Sequence, residues 1–299
     1  MSEPRSMAAI RRILVALDAS PHSLAALRAA VELAARMEAE LLGLFVEDVD
    51  LLRLADSPLA REVQYLTARQ APLDRARMEQ KLRAQAEQAR KALAAAAEGA
   101  QVEWSFRIVR GQVAVEVLAA AAGVDLLTLG RCGWSSSLKS RIGSTAQTAA
   151  AITMPVLLLS DRGLVLSLPV LVCFDGSAAA HHAVRVAAEF AEAGCGKVVV
   201  LLFAEDAESA RRLQGQAGAL LREQGLQVRF RAVYPRDEAG LLRAIKSEEA
   251  GVLVLAGKTR FFKPDTLQLL LREVDTSLLL LDDQEGTQPE KSQTATGDR

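Results

Sequence analysis

Two hydrophobic periods alternate along the chain. Short, almost wholly apolar runs at residues 13–17, 41–46, 124–129 and 156–159 read as parallel strands buried on both faces. Between them the apolar positions recur at helical spacing. Leu24, Leu27, Val31 and Ala34 form one stripe, in a helix predicted from Pro21 to about residue 37 with Ser20 as its cap. Met78, Leu82, Ala86, Ala89 and Leu93 form a second stripe, in a helix predicted over about 73–98. Its exposed side sets Glu79 before Arg83 and Glu87 before Lys91, four residues apart and acid first, the order that supports a helix. Residues 102–109 alternate as a strand that Gly111 ends, 113–122 read as a helix, and another helix is predicted over about 143–153. Strands and helices in strict alternation imply parallel pairing with right-handed crossovers. The fold class expected is therefore α/β, an open parallel sheet with helices on both faces.

The pattern then repeats. VLVCFDGSAAAHHAV, beginning at Val170, matches ILVALDASPHSLAAL, beginning at Ile13, so Asp175 corresponds to Asp18 and Ser177 to Ser20, both 157 residues on. Strands are predicted again at 198–203, 228–233, 252–256 and 277–281. Gly257 corresponds to Gly130 but follows it by only 127 residues, so the first half carries about 30 extra residues between those anchors. The unassignable stretch 51–73 is their natural place. Two tandem domains are expected, 1–160 and 169–282, with a linker at 161–168 and a polar, hydrophobe-poor tail at 283–299 that carries too little apolar surface to fold.

Composition narrows the function. In 299 residues, 36 basic and 37 acidic side chains leave a formal charge of −1, and aromatics are 4%. No global field points to nucleic acid or an anionic membrane, and there is little to stack bases on. Cys132, Cys173 and Cys195 are scattered, with no CxxC pair and no histidine at zinc-ligand spacing, so no metal site is expected. The start lacks the apolar core of a signal peptide, and no apolar run approaches a bilayer span. A cytoplasmic location is expected.

The densest chemistry lies at residues 124–144, VDLLTLGRCGWSSSLKSRIGS. An apolar strand ends at Leu129 and Gly130; Gly133 follows, then Gly143 and Ser144 at the predicted start of a helix, with Thr145 next. Glycine lets the chain turn sharply and lets a ligand press against backbone. The first N–H groups of a helix lack internal partners and favour an anion. Arg131, Lys139 and Arg141 add positive charge, and no acidic residue lies between Gly130 and Ser144. An ordinary capped strand-to-helix turn would look the same, so spacing alone leaves phosphate binding as one of two readings.

The spacing Gly, two residues, Gly, nine residues, Gly-Ser at Gly130, Gly133, Gly143 and Ser144 resembles the nucleotide motif of the ATP-binding branch of the universal stress protein family. ILVALDASPHS at 13–23 is similar to that family's opening strand, and MPVLLLS at 154–160 to its closing strand. The resemblance covers nearly the whole chain and implies two Rossmann-like domains. It implies ATP, with magnesium, bound in the first, with Asp18 and Val46 framing the adenine, Leu129 and Gly130 at the end of the fourth strand, and Gly133, Gly143, Ser144 and Thr145 on the phosphates. It also implies a regulatory role in stress, and pairing through the closing strands, either within the chain or in a homodimer.

Gly257, Lys258 and Thr259 read GKT, but Gly251 and Gly257 enclose five residues, where a Walker loop needs about four between its glycines, and those five are strand. Arg260 stands where the second half would need its second glycine, so that half is expected to have lost the site. Cys132 sits beside Arg131 and reads as a small loop residue; His181 and His182, adjacent on a helix, face apart. His22, near Asp18, is a candidate ligand contact. An ATP-hydrolysing or adenylate-transferring enzyme is the rival from another class, opposed by the absence of an SGGxDS loop and of a histidine or paired carboxylate fixed at the glycine loop. At most a slow ATPase is expected, with no catalytic residue assigned. A nucleotide-free dimerising scaffold is the third.

Overall fold

The computed structural model describes residues 10–57, 61–63, 70–72, 74–130, 154–160, 162–222, 224–234, 238–256, 269–270 and 272–281. The first half runs β1 (Arg12–Ala16), α1 (Pro21–Met37), β2 (Glu40–Asp48), α2 (Val49–Ala55), β3 (Arg61–Val63), β4 (Gln70–Pro72), α3 (Arg75–Gly99), β5 (Trp104–Gly111), α4 (Val113–Ala121), β6 (Leu126–Gly130) and β7 (Val156–Leu159). The second runs β8 (Val170–Phe174), α5 (Ala178–Glu192), β9 (Lys197–Phe203), α6 (Ala207–Leu221), β10 (Gln227–Val233), α7 (Glu238–Lys246), β11 (Val252–Ala256) and β12 (Ser277–Leu281).

Ten of these strands form one open sheet in the order β10-β9-β8-β11-β12-β7-β6-β1-β2-β5. The first five belong to the second half and the last five to the first, in mirrored order about the centre. Neighbours are parallel except β12 and β7, which run antiparallel with Leu278 opposite Leu158, Leu279 opposite Leu157 and Leu280 opposite Val156. The two closing strands therefore cover each other's edges. An open apolar edge is a template for further pairing, and here the chain satisfies it internally. Leu157, Leu158, Leu278 and Leu279 are all fully buried, each contributing roughly 2 kcal/mol by leaving water.

Helices lie on both faces. Ile13, Val15, Leu126 and Leu157 point to one core with Leu27 and Ala30 of α1, Leu82 and Leu93 of α3, Phe190 of α5 and Leu213 of α6. Leu14, Leu127, Leu129 and Leu158 point to the other with Val117 of α4 and Ile245 of α7. Alternate residues of each strand thus serve opposite faces, which is why these strands read as unbroken apolar runs.

Segments that the pattern left vague resolve locally. Residues 51–73 contain the rest of α2, whose start Asp48 caps through the amide of Asp50, and the antiparallel pair β3–β4. The helix expected from residue 73 begins at Arg75, because the Asp74 side chain caps the amide of Ala76. Gly111 ends β5 as its last residue and pairs with Asp48. Among the described residues no helix is long and apolar enough to cross a membrane.

Candidate crevice at the carboxyl ends of β1, β2 and β6

β1 stands between β2 and β6. From β1 the chain leaves through α1 toward β2 on one side, whereas β6 is followed on the other side by β7. Their carboxyl ends therefore flank a point where connections diverge, the place where open α/β sheets leave a crevice. Ala16 is level with Leu44, so Asp18 and Val46, two residues further along each chain, reach the rim together. Val15 is level with Thr128, which brings Gly130 to the same rim on the other side of β1. Residues 112 positions apart in sequence, Asp18 and Gly130, thus come to one edge, and with strands about 4.8 Å apart the three chain ends span roughly 10 Å.

The turn after β1 is tightly tied. Asp18 accepts the amide of Ser20 on Oδ1 at 2.9 Å. The Ser20 hydroxyl accepts the amide of Ser23 at 3.1 Å, capping α1. The Ser23 hydroxyl accepts the amide of Asp18 at 3.3 Å and donates to the carbonyl of Ser20 at 3.0 Å. Ser20 and Ser23 are buried, so these bonds satisfy groups that water does not reach. Asp18 therefore has the turn-forming role as well as its place at the crevice. Between them Ala19 has φ +60°, a left-handed conformation that a Cβ disfavours. Its counterpart in the second half, Gly176, has φ +81°, and that equivalence was the available sequence signal of the strain at Ala19.

Gly130 is needed for space. A Cβ there would lie 3.0 Å from the carbonyl oxygen of His22, 3.1 Å from its carbon and 3.2 Å from its Cβ. The first turn of α1 thus presses directly on the end of β6. Two residues earlier Thr128 is fully buried, and its Oγ1 has no hydrogen-bond partner among the described residues.

On the β2 side, carboxylates and guanidinium groups link the rim to α2 and α3. Glu47 bonds Arg110 at 2.7 Å, Arg110 approaches Glu79 at 3.8 Å, Glu79 approaches Arg75 at 3.5 Å, and Arg75 meets Asp56 at 2.5 Å. Most of these side chains are half exposed, so the chain of charges adds little stability; it fixes where α2 and α3 sit relative to the ends of β2 and β5.

Of the residues expected at the site, the structure brings Asp18, Val46, Leu129 and Gly130 to one rim, with Leu129 turned to the α4 core. Gly133, Gly143, Ser144 and Thr145, like Cys132, lie outside the described residues. Among the described residues no group of three or more histidine, cysteine or carboxylate side chains is placed to hold a metal ion.

The second half builds the same turn, with Asp175 accepting the amide of Ser177 at 2.9 Å and Ser177 capping α5. Its crevice is furnished differently. A Cβ at Gly176 would lie 2.8 Å from Cδ2 of Leu213 and 3.2 Å from Oε1 of Gln216, so side chains of α6 lie over that turn. His181 is engaged with the Ser177 carbonyl at 2.8 Å and with the edge of Phe174, ring centres 5.0 Å apart.

Comparison with known proteins places this architecture. A sequence profile described as the universal stress protein family matches residues 9–159. Among curated proteins none matches the chain by sequence. Its structure is similar to that of a universal stress protein from Archaeoglobus fulgidus DSM 4304, with TM-score 0.69 and 18% identity over 92% of this chain and 99% of that one. It is also similar to a protein of unknown function from Pseudomonas aeruginosa PAO1, with TM-score 0.57 and 16% identity over 92% and 94%. The cytoplasmic domain of a prokaryotic cation chloride cotransporter aligns with TM-score 0.54 and 16% identity over 93% and 97%. At these identities the likeness is one of fold.

Proposed function

The chain belongs to the universal stress protein family, and on that premise we propose that its first half binds an adenine nucleotide, ATP with magnesium, at the rim of β2, β1 and β6. The observation that carries this reading is the convergence of Val46, Asp18 and Gly130 on one edge where the connections diverge. Gly130 is pressed against the His22 carbonyl, so β6 reaches the rim as bare backbone. The base would lie toward Val46 and Asp18, and the phosphates toward the glycines that follow Gly130, with Gly143, Ser144 and Thr145 at their end.

In this reading the halves 1–160 and 169–282 are two domains joined by 161–168, and the pairing of β7 with β12 makes the chain an internal pseudo-dimer. The second domain serves as a partner in assembly. Leu213 and Gln216 over Gly176, together with Arg260 in place of a glycine, support its having no nucleotide of its own. Occupancy of the first domain would then regulate which cytoplasmic partner the pair engages under stress, with the protein itself turning over ATP slowly or not at all.

Purified protein tests this directly. Released nucleotide identified by chromatography and mass, and calorimetry with ATP and magnesium, should show one adenine nucleotide per chain, lost on Gly133→Val with the melting temperature preserved. Failure of the parent protein to bind ATP, ADP or AMP would overturn the reading, and rapid turnover would favour the enzyme instead.

A further inference from the structure

We infer that the outer edge of β10 takes up an extended acidic segment of a partner protein as an added strand. The inference stands apart from the nucleotide reading, because β10 ends the sheet on the side away from β6, β1 and β2. Gln227 donates its amide to the carbonyl of Gly196 at 2.8 Å, and the carbonyl of Val233 accepts the amide of Ala204 at 3.1 Å. In a parallel ladder alternate residues bond the same neighbour, so 227, 229, 231 and 233 face β9. Val228, Phe230 and Ala232 therefore turn their N–H and C=O groups to the edge, where no further strand pairs among the described residues. All seven residues of β10 run in unbroken register with β9, without the proline or bulge that commonly blunts an edge.

Charge selects the occupant. On one face of β10, Arg229 and Arg231 both bond the carboxylate of Glu248, Arg231 at 2.7 Å. The Glu248 side chain is only 4% exposed, against 62% and 41% for the two arginines. Burying a carboxylate is a poor way to stabilise a surface, but it fixes both guanidinium groups beside the edge and leaves one positive charge uncompensated. On the other face α6 leaves an open groove, floored by Phe230 and lined by Arg211, Gln214, Gly215, Gly218 and Arg222. A Cβ at Gly215 would meet nothing within 4 Å, and one at Gly218 only Cζ of Phe230 at 3.7 Å. Packing within the chain thus requires neither glycine, although glycine weakens a helix relative to alanine; together they keep Phe230 uncovered. Arg211 and Arg222 form no ion pair among the described residues. Both faces of the edge are therefore basic. A second copy does not fit: pairing β10 with β10 sets arginines against arginines, and the other terminal strand, β5, carries Arg107 and Arg110. In an added acidic strand, one set of alternate side chains meets Arg229 and Arg231, and the other lies on Phe230 between Arg211 and Arg222.

Fluorescence anisotropy on the full chain tests this, with a labelled heptapeptide that alternates glutamate and valine and a counterpart that alternates lysine and valine. The glutamate peptide should bind and the lysine peptide should not, with affinity falling as salt is raised. Ala232→Pro removes one outward N–H and leaves the bonds to β9 in place, and it should weaken binding roughly tenfold. Arg211→Glu combined with Arg222→Glu should weaken it by at least as much. Circular dichroism and melting report whether each variant keeps the fold. If Ala232→Pro does not, the glutamate peptide with alternate backbone amides N-methylated makes the same comparison on the parent protein, since it cannot add as a strand. Equal binding of the glutamate and lysine peptides, undiminished binding of the N-methylated peptide, or no binding at about 1 mM peptide would overturn the inference. So would sedimentation showing that the parent self-associates through this edge and that Ala232→Pro abolishes it, because the occupant would then be a second copy.

Discussion

The hydroxyl of Ser277 donates to the carbonyl oxygen of Gly163 at 2.8 Å, joining the first residue of the last strand to the segment that leaves the first half. The same hydroxyl accepts the amide of Ser160 at 3.3 Å, and Ser277 is fully buried. Removing it would leave a buried amide and a carbonyl with one partner fewer, at a cost of about 1–3 kcal/mol. Ser277→Ala should therefore lower the urea midpoint of the whole chain, because this bond sits at the seam where β7 and β12 meet. An unchanged midpoint would mean that the seam is held by its leucines alone.

Gly130→Ala would place a methyl 3.0 Å from the His22 carbonyl oxygen. The neighbour is helix backbone, which cannot rotate aside, so α1 and β6 must separate. A loss of about 1–3 kcal/mol, the range for overpacking a close contact, is expected by denaturation, together with weaker ATP binding by calorimetry. Full stability combined with full affinity would show that this contact constrains neither.

Thr128→Val keeps the shape of a fully buried side chain and removes an Oγ1 that has no partner among the described residues. Burying an unsatisfied hydroxyl costs about 1–3 kcal/mol, so the variant should be more stable than the parent. Chemical denaturation would detect the rise, and a fall would mean that the hydroxyl is bonded in solution.

Asp206 caps α6, and the amide of Ser209 donates to its Oδ1 at 2.7 Å. That bond, followed by the Ser209 side-chain interaction, holds the carboxyl below its ordinary 3.8. A carboxyl depressed in the fold contributes stability above its unfolded value and loses it as pH falls through the folded one. The melting-temperature gap between the parent and Asp206→Ala should be full at neutral pH and close in acid, below about pH 4. A gap of constant size down to pH 2 would contradict the assignment.

Much of the fold was legible in the sequence because its causes are local. Apolar runs such as Leu126–Leu129 form strands buried on both faces, and Ser20 and Ser177 start helices by bonding amides three residues on. The repeat from Asp18 to Asp175 fixed the likeness of the halves. The rim was also foreseeable, since alternating strands and helices with right-handed crossovers allow few strand orders. The glycine spacing named the ligand class only by resemblance, and Gly133, Gly143, Ser144 and Thr145 lie outside the described residues.

What tertiary structure decided depends on groups distant in sequence and close in space. No periodicity shows that Leu157 meets Leu279 in antiparallel register, that the His22 carbonyl crowds Gly130, or that Leu213 leans over Gly176. Nor does composition reveal that Thr128 is buried with no hydrogen-bond partner among the described residues. Local sequence specifies which backbone bonds a segment makes with itself and which of its faces avoids water; it leaves open which other surface covers that face. That choice falls to the packing of the whole chain, where contacts of a few tenths of an ångström determine whether a side chain fits.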